Sequence, residues 1–356
     1  MTILVTGGCG FIGSHFILDY LQHSPIVNLD KLSYAANVDN LRAVQAHPEY
    51  HFVHADVCDE KALAAVFAQH KISAIVHFAA DTHVDRAIDE AMPFVYNNVQ
   101  GTVALLKQAQ RYYEALPSKE QAAFRFLYVS SDEVYGSLSA DAVPFTESDP
   151  VQARNPYSAS KAAAEQFVMA WHNTYKLPVM ISRCGNNYGP HQYPEKLIPK
   201  LFQQALQQQA MPLYGDGLQV RDWIYVKDHC AALWFLLTQG EVGEIYNIGA
   251  EQEVTNRQIA HMLCDFLDRK QSMAQSRSQG IIASSVCGLS LGLVHSSYHD
   301  LVQFVSDRPG HDRRYALNIN KLKALGWQAE YSFEQGMQAT LEAYWNVYCA
   351  KAPRNT

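Results

Sequence analysis

The sequence has no excess of positive charge. Its 356 residues include 28 Lys and Arg against 35 Asp and Glu, so the net charge at pH 7 is −7. Proteins that bind nucleic acid carry a basic face that neutralises phosphates, so this balance argues against that class. It does not exclude an anionic small molecule, because a few local arginines can hold a pyrophosphate in an acidic protein.

Paired cysteines and long apolar runs are also lacking. The chain has seven cysteines, an odd number, and none forms a C-x-x-C motif, so the sequence predicts neither a zinc site nor a disulfide framework. Reduced thiols are the expected state. The apolar stretch over residues 281–294 is too short to cross a bilayer, and the N-terminus lacks the features of a signal peptide. We therefore expect a cytoplasmic protein that does not enter a membrane.

Short strand-like runs alternate with helical patterns through the first half of the chain. Strands are predicted at residues 2–6, 26–30, 51–56, 74–80, 124–130 and 178–183, and helices near residues 11–23, 59–70, 90–111 and 157–175. This alternation is typical of βαβ units and predicts an α/β fold, a Rossmann-type doubly wound parallel sheet. The later part indicates a smaller mixed α/β lobe, with helices near residues 195–208, 227–238, 255–267 and 333–348.

The opening segment TILVTGGCGFIGSHFIL places four glycines between a strand and a helix. Such glycines let the backbone turn tightly and approach a pyrophosphate at the helix N-terminus. Asp30 ends the next strand, where a carboxylate accepts bonds from ribose hydroxyls and repels a 2′-phosphate. NAD is therefore favoured over NADP.

Two further segments contain residues that are suited to binding a dinucleotide. Asp56 follows the third strand and suits the adenine amino group, with Val57 beside the ring. An N-cap for the helix that starts near residue 59 is an equally good interpretation of Asp56. Ala79 and Ala80 follow the fourth strand and are small enough for the cofactor to pass closely.

These observations divide the chain into two predicted domains. Residues 1–183 with about 220–250 form the NAD-binding domain, and residues 184–219 with 251–356 form the substrate lobe. Within that lobe, residues 271–296 are rich in Ser and Gly and have no clear period. We predict that they form a surface-loop insertion.

Tyr157 and Lys161 form a Y-x-x-x-K pair on one helical face. An ammonium one turn away, together with a positive nicotinamide, lowers the pKa of Tyr157 toward neutrality. Tyr157 is then a general base that takes a hydroxyl proton while hydride leaves the same carbon. The pair is common on helix surfaces, but its position after the fifth strand of a Rossmann pattern favours catalysis.

The fifth strand runs into the segment VSSDEVYG. Ser131 offers a hydroxyl that can hold the reacting oxygen. Asp132 and Glu133 place two adjacent carboxylates at the mouth of a cofactor crevice, which favours acid–base chemistry. Oxidation of a carbinol needs neither of them. Elimination of water needs one group to protonate the leaving hydroxyl and another to remove a carbon-bound proton.

Longer motifs extend this pattern over nearly the whole chain. They are GGCGFIGSH, NLDKLSYAAN, HFAADTHVDRAI, SSDEVYG, NPYSASKAAAEQF, NNYGPHQYPEKLIPK, VRDWIYVKDH, YNIG and DRPGHDRRY. In this order they resemble the dTDP-glucose 4,6-dehydratase branch of the extended short-chain dehydrogenase family. The resemblance implies oxidation at C4 of a nucleotide-bound glucose, elimination of water across C5–C6, and return of the hydride to C6. It also implies a homodimer formed through the helices near residues 90–111 and 157–175.

The resemblance assigns roles to positions. Asp132 would be the acid for the C6 hydroxyl, Glu133 the base at C5 and Tyr157 the base at the C4 hydroxyl, while Lys161 would orient the ribose. With Ser131 these are the predicted catalytic residues. The residues expected to bind NAD are Gly7, Gly10, Phe11, Ile12, Gly13, Asp30, Lys31, Asp56, Val57, Ala79, Ala80, Asn97, Tyr157, Lys161 and Asn187. Those expected to bind the sugar nucleotide are Thr82, Asn186, Lys196, Leu197, Pro212, Tyr214, Arg221, Asn256, Arg308 and His311.

The chain departs from the family pattern at a few places. Ser131 replaces the usual Thr, Gly185 stands where Ser is common, and Asn97 where Thr is common. The insertion at residues 271–296 is foreign to the pattern. None of these changes removes an essential group, and the proposed chemistry requires no metal.

Two alternative functions remain open at this stage. A nucleotide-sugar 4-epimerase or a UDP-glucuronate decarboxylase on the same fold would share Ser131, Tyr157 and Lys161, but neither should need the adjacent Asp132 and Glu133. A non-catalytic protein that senses NAD would have no need of these groups together. The sequence leaves the choice between a dTDP and a UDP sugar open.

Overall fold

The fold is built around a parallel sheet of seven strands. In the computed structural model, which describes residues 2–278, 297–307 and 311–350, the strand order is β10-β6-β5-β4-β1-β2-β3 and every neighbouring pair is parallel. The strands of this sheet are β1 (Thr2–Thr6), β2 (Ile26–Asp30), β3 (Tyr50–His54), β4 (Ile72–His77), β5 (Arg125–Ser131), β6 (Val179–Cys184) and β10 (Ile245–Ile248).

Helices cover both faces of this sheet because its strands are apolar on both sides. The α-helices of the described residues are α1 (Phe11–Tyr20), α2 (Glu60–Gln69), α3 (Val84–Asp89), α4 (Met92–Phe94), α5 (Gly101–Ala115), α6 (Ser118–Ala123), α7 (Pro156–Tyr175), α8 (Leu197–Leu206), α9 (Val226–Gln239), α10 (Asn256–Ser278), α11 (Asn320–Ala324) and α12 (Phe333–Ala350). Side chains of α1 and α9 share one buried core with β1, while α2, α5 and α7 contribute to a second core on the opposite face. The predicted doubly wound Rossmann-type fold is confirmed.

The strand order reverses between β1 and β4. From β1 the chain proceeds through β2 and β3 in one direction, and from β4 through β5 and β6 in the other. In open α/β sheets a crevice forms at this reversal, outside the carboxyl ends of the strands. The functional residues are therefore expected in the segments that follow β1, β2, β4 and β5.

Two small sheets lie outside the large one. One contains β11 (Glu253–Thr255), β9 (Val220–Tyr225) and β7 (Asn186–Tyr188), and the other pairs β12 (Val302–Val305) with β8 (Met211–Tyr214). Residues of about 220–250 are predicted to belong to the first domain together with residues 1–183. Within that range, β10 joins the large sheet, whereas β9 joins one of the small sheets. The two-domain division stays a prediction.

Three expectations need correction. Helix α10 continues to Ser278, so residues 271–278 of the predicted loop are helical, and residues 279–296 lie outside the described residues. The single helix expected near 90–111 is instead α4, a π-helical segment Val95–Gln100 and α5. Cys9, Cys58, Cys184, Cys230 and Cys264 are free, but Cys349 is disulfide-bonded.

Among the described residues, no helix has the length and apolarity needed to span a membrane.

Candidate active site

One cleft at the carboxyl edge of the large sheet gathers most of the predicted site. The walls include every predicted catalytic residue and every predicted NAD-binding residue except Asp56. Three buried polar atoms in this wall have no hydrogen-bond partner within the described chain, namely Ser130 Oγ, Asp132 Oδ2 and Gln192 Oε1. Buried polar groups are normally paired, so these atoms indicate positions where a ligand is hydrogen-bonded.

The glycine-rich turn after β1 forms one end of the cleft. Gly7 has φ +73°, and a Cβ built there would lie 2.7 Å from the backbone nitrogen of Ala79. At Gly13 a Cβ would lie 2.5 Å from the carbonyl oxygen of Gly7. Only glycine therefore lets the turn pack against both the segment after β4 and the start of α1. The unpaired N–H groups of the α1 N-terminus then face the cleft and suit a pyrophosphate.

Asp30 ends β2 inside the cleft. Its carboxylate accepts hydrogen bonds from the backbone N–H groups of Cys9 (2.9 Å) and Leu32 (2.8 Å). Burial raises its pKa, while these two bonds lower it. A carboxylate has about four acceptor positions, so Asp30 can still accept from ribose hydroxyls.

Asp56 lies behind the cleft wall. Its carboxylate accepts from the backbone N–H of Cys58 at 2.8 Å and lies 3.4 Å from Lys31 Nζ. The N-cap of α2 is Asp59, so the alternative interpretation of Asp56 as that cap is wrong. Lys31 Nζ also donates to Asn97 Oδ1 at 2.5 Å. This hydrogen bond joins two residues that line the cleft and are predicted to bind NAD.

The carboxylate pair follows β5 directly. Ser131 is the N-cap of a 3-10 turn over Asp132–Tyr135, and its hydroxyl accepts from the backbone N–H of Glu133. It also donates to Asp132 Oδ1 at 3.2 Å. Burial and the neighbouring Glu133 raise the pKa of Asp132 well above its ordinary value, against the opposing effect of Arg221. The raised pKa favours the protonated form of Asp132, which is the form that a general acid needs.

Glu133 differs from Asp132 in its surroundings. It is half-buried rather than buried, and one carboxylate oxygen accepts from Asn155 Nδ2 at 3.2 Å. Asn155 is also the N-cap of α7, in a capping box with Ser158. Asn155 thus caps the helix that carries Tyr157 and also binds Glu133. The position of Glu133 therefore depends on the position of Tyr157.

The chain alone does not lower the pKa of Tyr157, contrary to our expectation. Burial and the negative charge of Glu133 raise it well above its ordinary value, and the hydrogen bond with Ser131 only partly opposes them. Lys161 Nζ donates to the backbone carbonyl of Val129 at 2.7 Å, and burial lowers the pKa of Lys161 to about 8. The expected lowering rested on Lys161 together with the positive nicotinamide, and it did not include the burial of Tyr157 or the charge of Glu133.

The predicted sugar-nucleotide residues are only partly gathered by the cleft. Thr82, Asn186 and Lys196 line it, and Lys196 Nζ donates to the Thr82 carbonyl at 2.8 Å. The described residues that do not line it are Leu197, Pro212, Tyr214, Arg221, Asn256 and His311. Arg308 lies outside the described residues.

Arg221 is buried beside the cleft. Its guanidinium lies 4.3 Å from the centre of the Tyr315 ring, donates to the Asp312 carbonyl at 2.9 Å, and lowers the pKa of Asp132. His311 Nδ1 lies 2.6 Å from Asp307 Oδ1 and packs edge-on against Tyr214. These contacts hold Arg221 beside Asp312 and Tyr315, and His311 beside Asp307 and Tyr214, and the roles of Arg221 and His311 toward the substrate stay predictions.

Sequence reasoning missed several cleft residues. Asp81, Gln192, Tyr193 and Glu195 line it without having been predicted. Their signal was present, because they fall inside HFAADTHVDRAI and NNYGPHQYPEKLIPK, the motifs that carry the family resemblance.

Comparison with known proteins agrees with this geometry. The GDP-mannose 4,6 dehydratase family model matches residues 4–340. A dTDP-glucose 4,6-dehydratase of Neisseria gonorrhoeae is 45% identical over 96% of this chain and 95% of its own length, and one of Escherichia coli K12 is 42% identical over 97% and 92%.

Solved structures show the same likeness. The dTDP-glucose 4,6-dehydratase DesIV of Streptomyces venezuelae, solved with NAD bound, has a TM-score of 0.81 at 41% identity and covers 97% of each chain. A UDP-glucose 4-epimerase of Thermotoga maritima has a TM-score of 0.79 at 25% identity, covering 98% of this chain and 99% of its own. The chain belongs to the GDP-mannose 4,6 dehydratase family and, within it, to the dTDP-glucose 4,6-dehydratases.

Proposed function

We propose that this protein converts dTDP-glucose to the dTDP-bound 4-keto-6-deoxy sugar with NAD as a resident cofactor. The observation that carries the proposal is the adjacent pair of a buried Asp132, whose pKa is raised, and a half-buried Glu133 at the wall of the dinucleotide cleft. An epimerase of the same fold has no step for such a pair. The relatives at 42–45% identity support dTDP as the nucleotide.

The residues that would hold NAD fit that group. The turn at Gly7 and Gly13 leaves room for a pyrophosphate, Asp30 retains acceptor positions for a ribose, and Ser130 Oγ is an unpaired polar atom in the same wall. When bound, NAD accepts a hydride from C4 of the sugar and later returns it at C6.

Tyr157 removes the proton of the C4 hydroxyl in the first step. Because burial and Glu133 raise its pKa in the chain alone, it becomes a base only when positive charge is added beside it. Lys161 is already present in the chain, so the positive ring of the oxidised cofactor would supply the added charge. The C4 ketone that results makes the neighbouring C5 proton acidic.

Elimination then uses the two carboxyl groups in opposite forms. Glu133 takes the C5 proton as a carboxylate, the C5–C6 double bond forms, and the C6–O bond breaks. Asp132 gives its proton to the departing hydroxyl, which leaves as water. After the hydride reaches C6, the proton held by Glu133 returns to C5, and the product differs from the substrate by one water. Tyr157 then releases the proton of the C4 hydroxyl to solvent and Asp132 takes one up from solvent, which restores the enzyme.

Incubation with dTDP-glucose and UDP-glucose in parallel tests the proposal. A dehydratase produces a 4-keto sugar that absorbs after treatment with alkali, and we expect this product from dTDP-glucose. The Asp132→Asn variant is the control for background breakdown. Epimerised sugar without any 4-keto product would contradict the proposal.

We also propose that the protein is a homodimer that pairs through α7 and the segment leading into α5. Exposed apolar side chains lie there, with Met92 68%, Val95 45% and Tyr96 46% exposed before α5, and Phe167 40% exposed on α7. Apolar patches of this kind mark interaction surfaces. In sedimentation, Phe167→Glu should yield a monomer, whereas the control Val143→Glu, at a loop side chain that is 82% exposed, should leave a dimer. A monomeric parental protein would refute this assignment.

A cytoplasmic location completes the proposal. Five of the six described cysteines are free and support it, because free thiols persist in reducing compartments, whereas the disulfide-bonded Cys349 is unusual there. Cell fractionation tests it, and recovery of the protein with an extracytoplasmic fraction would contradict it.

A further inference from the structure

The mouth of the cleft is bridged by a closed ring of four side chains. Tyr34 follows β2, His83 and Arg86 belong to the start of α3, and Glu195 precedes α8. The Tyr34 hydroxyl donates to Glu195 Oε1 at 3.0 Å. The other Glu195 oxygen lies 3.7 Å from His83 Nε2.

The ring closes through Arg86. Its backbone N–H donates to His83 Nδ1 at 3.2 Å, so Nδ1 accepts and the His83 proton is on Nε2, facing Glu195. Its guanidinium lies 3.8 Å from the centre of the Tyr34 ring, in the range of a cation–π contact. The Tyr193 ring packs edge-on against Tyr34 at 5.5 Å.

This ring joins the two sides of the cleft. Ser33 and Ala35, on either side of Tyr34, line the cleft from the segment after β2, and Tyr193 and Glu195 line it from the segment before α8. Tyr34 itself is not part of the lining. Its contacts therefore tie the two rims together without taking up space that a ligand needs.

We propose that Tyr34, braced by Arg86 and bonded to Glu195, is a clasp that retains the dinucleotide in the cleft. The inference rests on the proposed function, in which the hydride removed at C4 must return to the same sugar. Loss of the reduced cofactor between these steps would leave an oxidised sugar and an enzyme unable to finish. A clasp on the rim slows this loss without contacting the reacting atoms, so Tyr34 acts on cofactor release and not on chemistry.

The test is the rate at which NAD leaves the purified protein, followed without any sugar by dilution into an NAD-trapping dehydrogenase. Tyr34→Phe removes the bond to Glu195 but keeps the ring, and release should quicken about threefold to tenfold. Tyr34→Ala also removes the contact with Arg86, and release should quicken about tenfold to a hundredfold. Arg86→Ala should fall between them.

Tyr348→Phe is the matched control. The Tyr348 hydroxyl accepts from Gln203 Nε2 at 2.5 Å between α12 and α8, away from the cleft lining, and its loss should leave the release rate unchanged. If Tyr34→Ala released NAD at the parental rate, the clasp would be contradicted while the proposed function would stand. The same would follow if Tyr348→Phe released NAD as quickly as Tyr34→Ala. A parental protein that binds no NAD would overturn the proposed function and the clasp with it.

Discussion

Asp30 lies where a single side chain can choose between two cofactors. Its two carboxylate oxygens accept the N–H groups of Cys9 and Leu32, so the charge is fixed at the end of β2. A 2′-phosphate on the ribose would meet this charge at close range in a site shielded from water, where repulsion is large.

Asp30→Ala should therefore weaken the preference for NAD over NADP by about tenfold or more. Titration calorimetry with both dinucleotides measures this ratio. Asp59→Ala is the control, since Asp59 caps α2 and its loss should lower stability without altering the ratio. An unchanged preference in Asp30→Ala would contradict the role of Asp30.

The pKa of Asp132 leads to a prediction for pH dependence. Burial and Glu133 raise it well above that of an ordinary carboxyl, so the proton needed by the leaving hydroxyl is kept to a higher pH and is lost as the pH rises through that raised pKa. The rate of water loss in a single turnover should fall on this alkaline side. Asp132→Asn should slow water loss by about 10²–10⁴-fold and should abolish the alkaline fall. An identical pH profile in the variant would assign that ionisation to another group.

Sequence alone predicted many of the residues that line this cleft, but not their environments. The spacing of Tyr157 and Lys161 and the adjacency of Asp132 and Glu133 can be read directly from the sequence. That Glu133 raises the pKa of Tyr157 is not visible, because the two residues belong to different elements whose packing brings them together. Burial, which dominates both shifts, is likewise a property of the folded chain.

At the scale of elements, β9 contains an unusual carboxyl group. Asp222 is fully buried; one oxygen accepts from the backbone N–H of Gln252 at 3.1 Å, and the other has no partner in the described chain. Burial raises its pKa from 3.8 to about 6. Because the folded-state pKa is higher than the unfolded one, the protonated group contributes stability in full below about pH 4, and that stability is lost as the pH rises through 6.

Asp222→Asn should remove this dependence, since an amide keeps an acceptor oxygen and cannot ionise. The free energy of unfolding of the parental protein, minus that of the variant, should fall by about 2 kcal/mol between pH 4 and pH 7. Urea unfolding at several pH values measures it. Asp39→Asn, at a side chain that is 69% exposed, serves as the control, and a difference that is flat with pH would show that Asp222 does not titrate in this range.

Elements with a strong pattern were predictable and their ends were not. Strands β1 to β6 and the helix at Tyr157 appear within two to three residues of the predicted positions. Helix α10 runs to Ser278 although its last turns have no apolar period, because helix-forming residues such as Arg269, Lys270 and Gln271 continue it. The π-helical segment Val95–Gln100 has no signal in hydrophobic periodicity, since it differs from an α-helix only in its hydrogen-bond spacing.

For the whole molecule, the order of the motifs was sufficient to predict a doubly wound sheet with a second lobe. The contacts that close the cleft were not predictable. Tyr34 and Glu195 are 161 positions apart, and β8 pairs with β12 across about 90 residues. Nothing local in either segment specifies such a partner, so only the tertiary arrangement reveals it.

The fold does not select the reaction, because an epimerase and a dehydratase share it at similar TM-scores. The central claim is therefore that Glu133 removes the C5 proton, a step that only a dehydratase needs. Glu133→Gln keeps the size and the hydrogen bond to Asn155 Nδ2 but removes the base. Tyr157→Phe is its reference, since it should abolish every step, including the appearance of NADH.

The most direct measurement mixes Glu133→Gln with dTDP-glucose in deuterated water and follows NADH absorbance together with deuterium at C5. Oxidation at C4 should survive, so NADH should accumulate, while turnover falls by about 10²–10⁴-fold and deuterium no longer enters C5. In Asp132→Asn, turnover should also fall, but Glu133 should still exchange the C5 proton with solvent. Formation of the 4-keto-6-deoxy sugar by Glu133→Gln at the parental rate would contradict the account and favour an epimerase or decarboxylase.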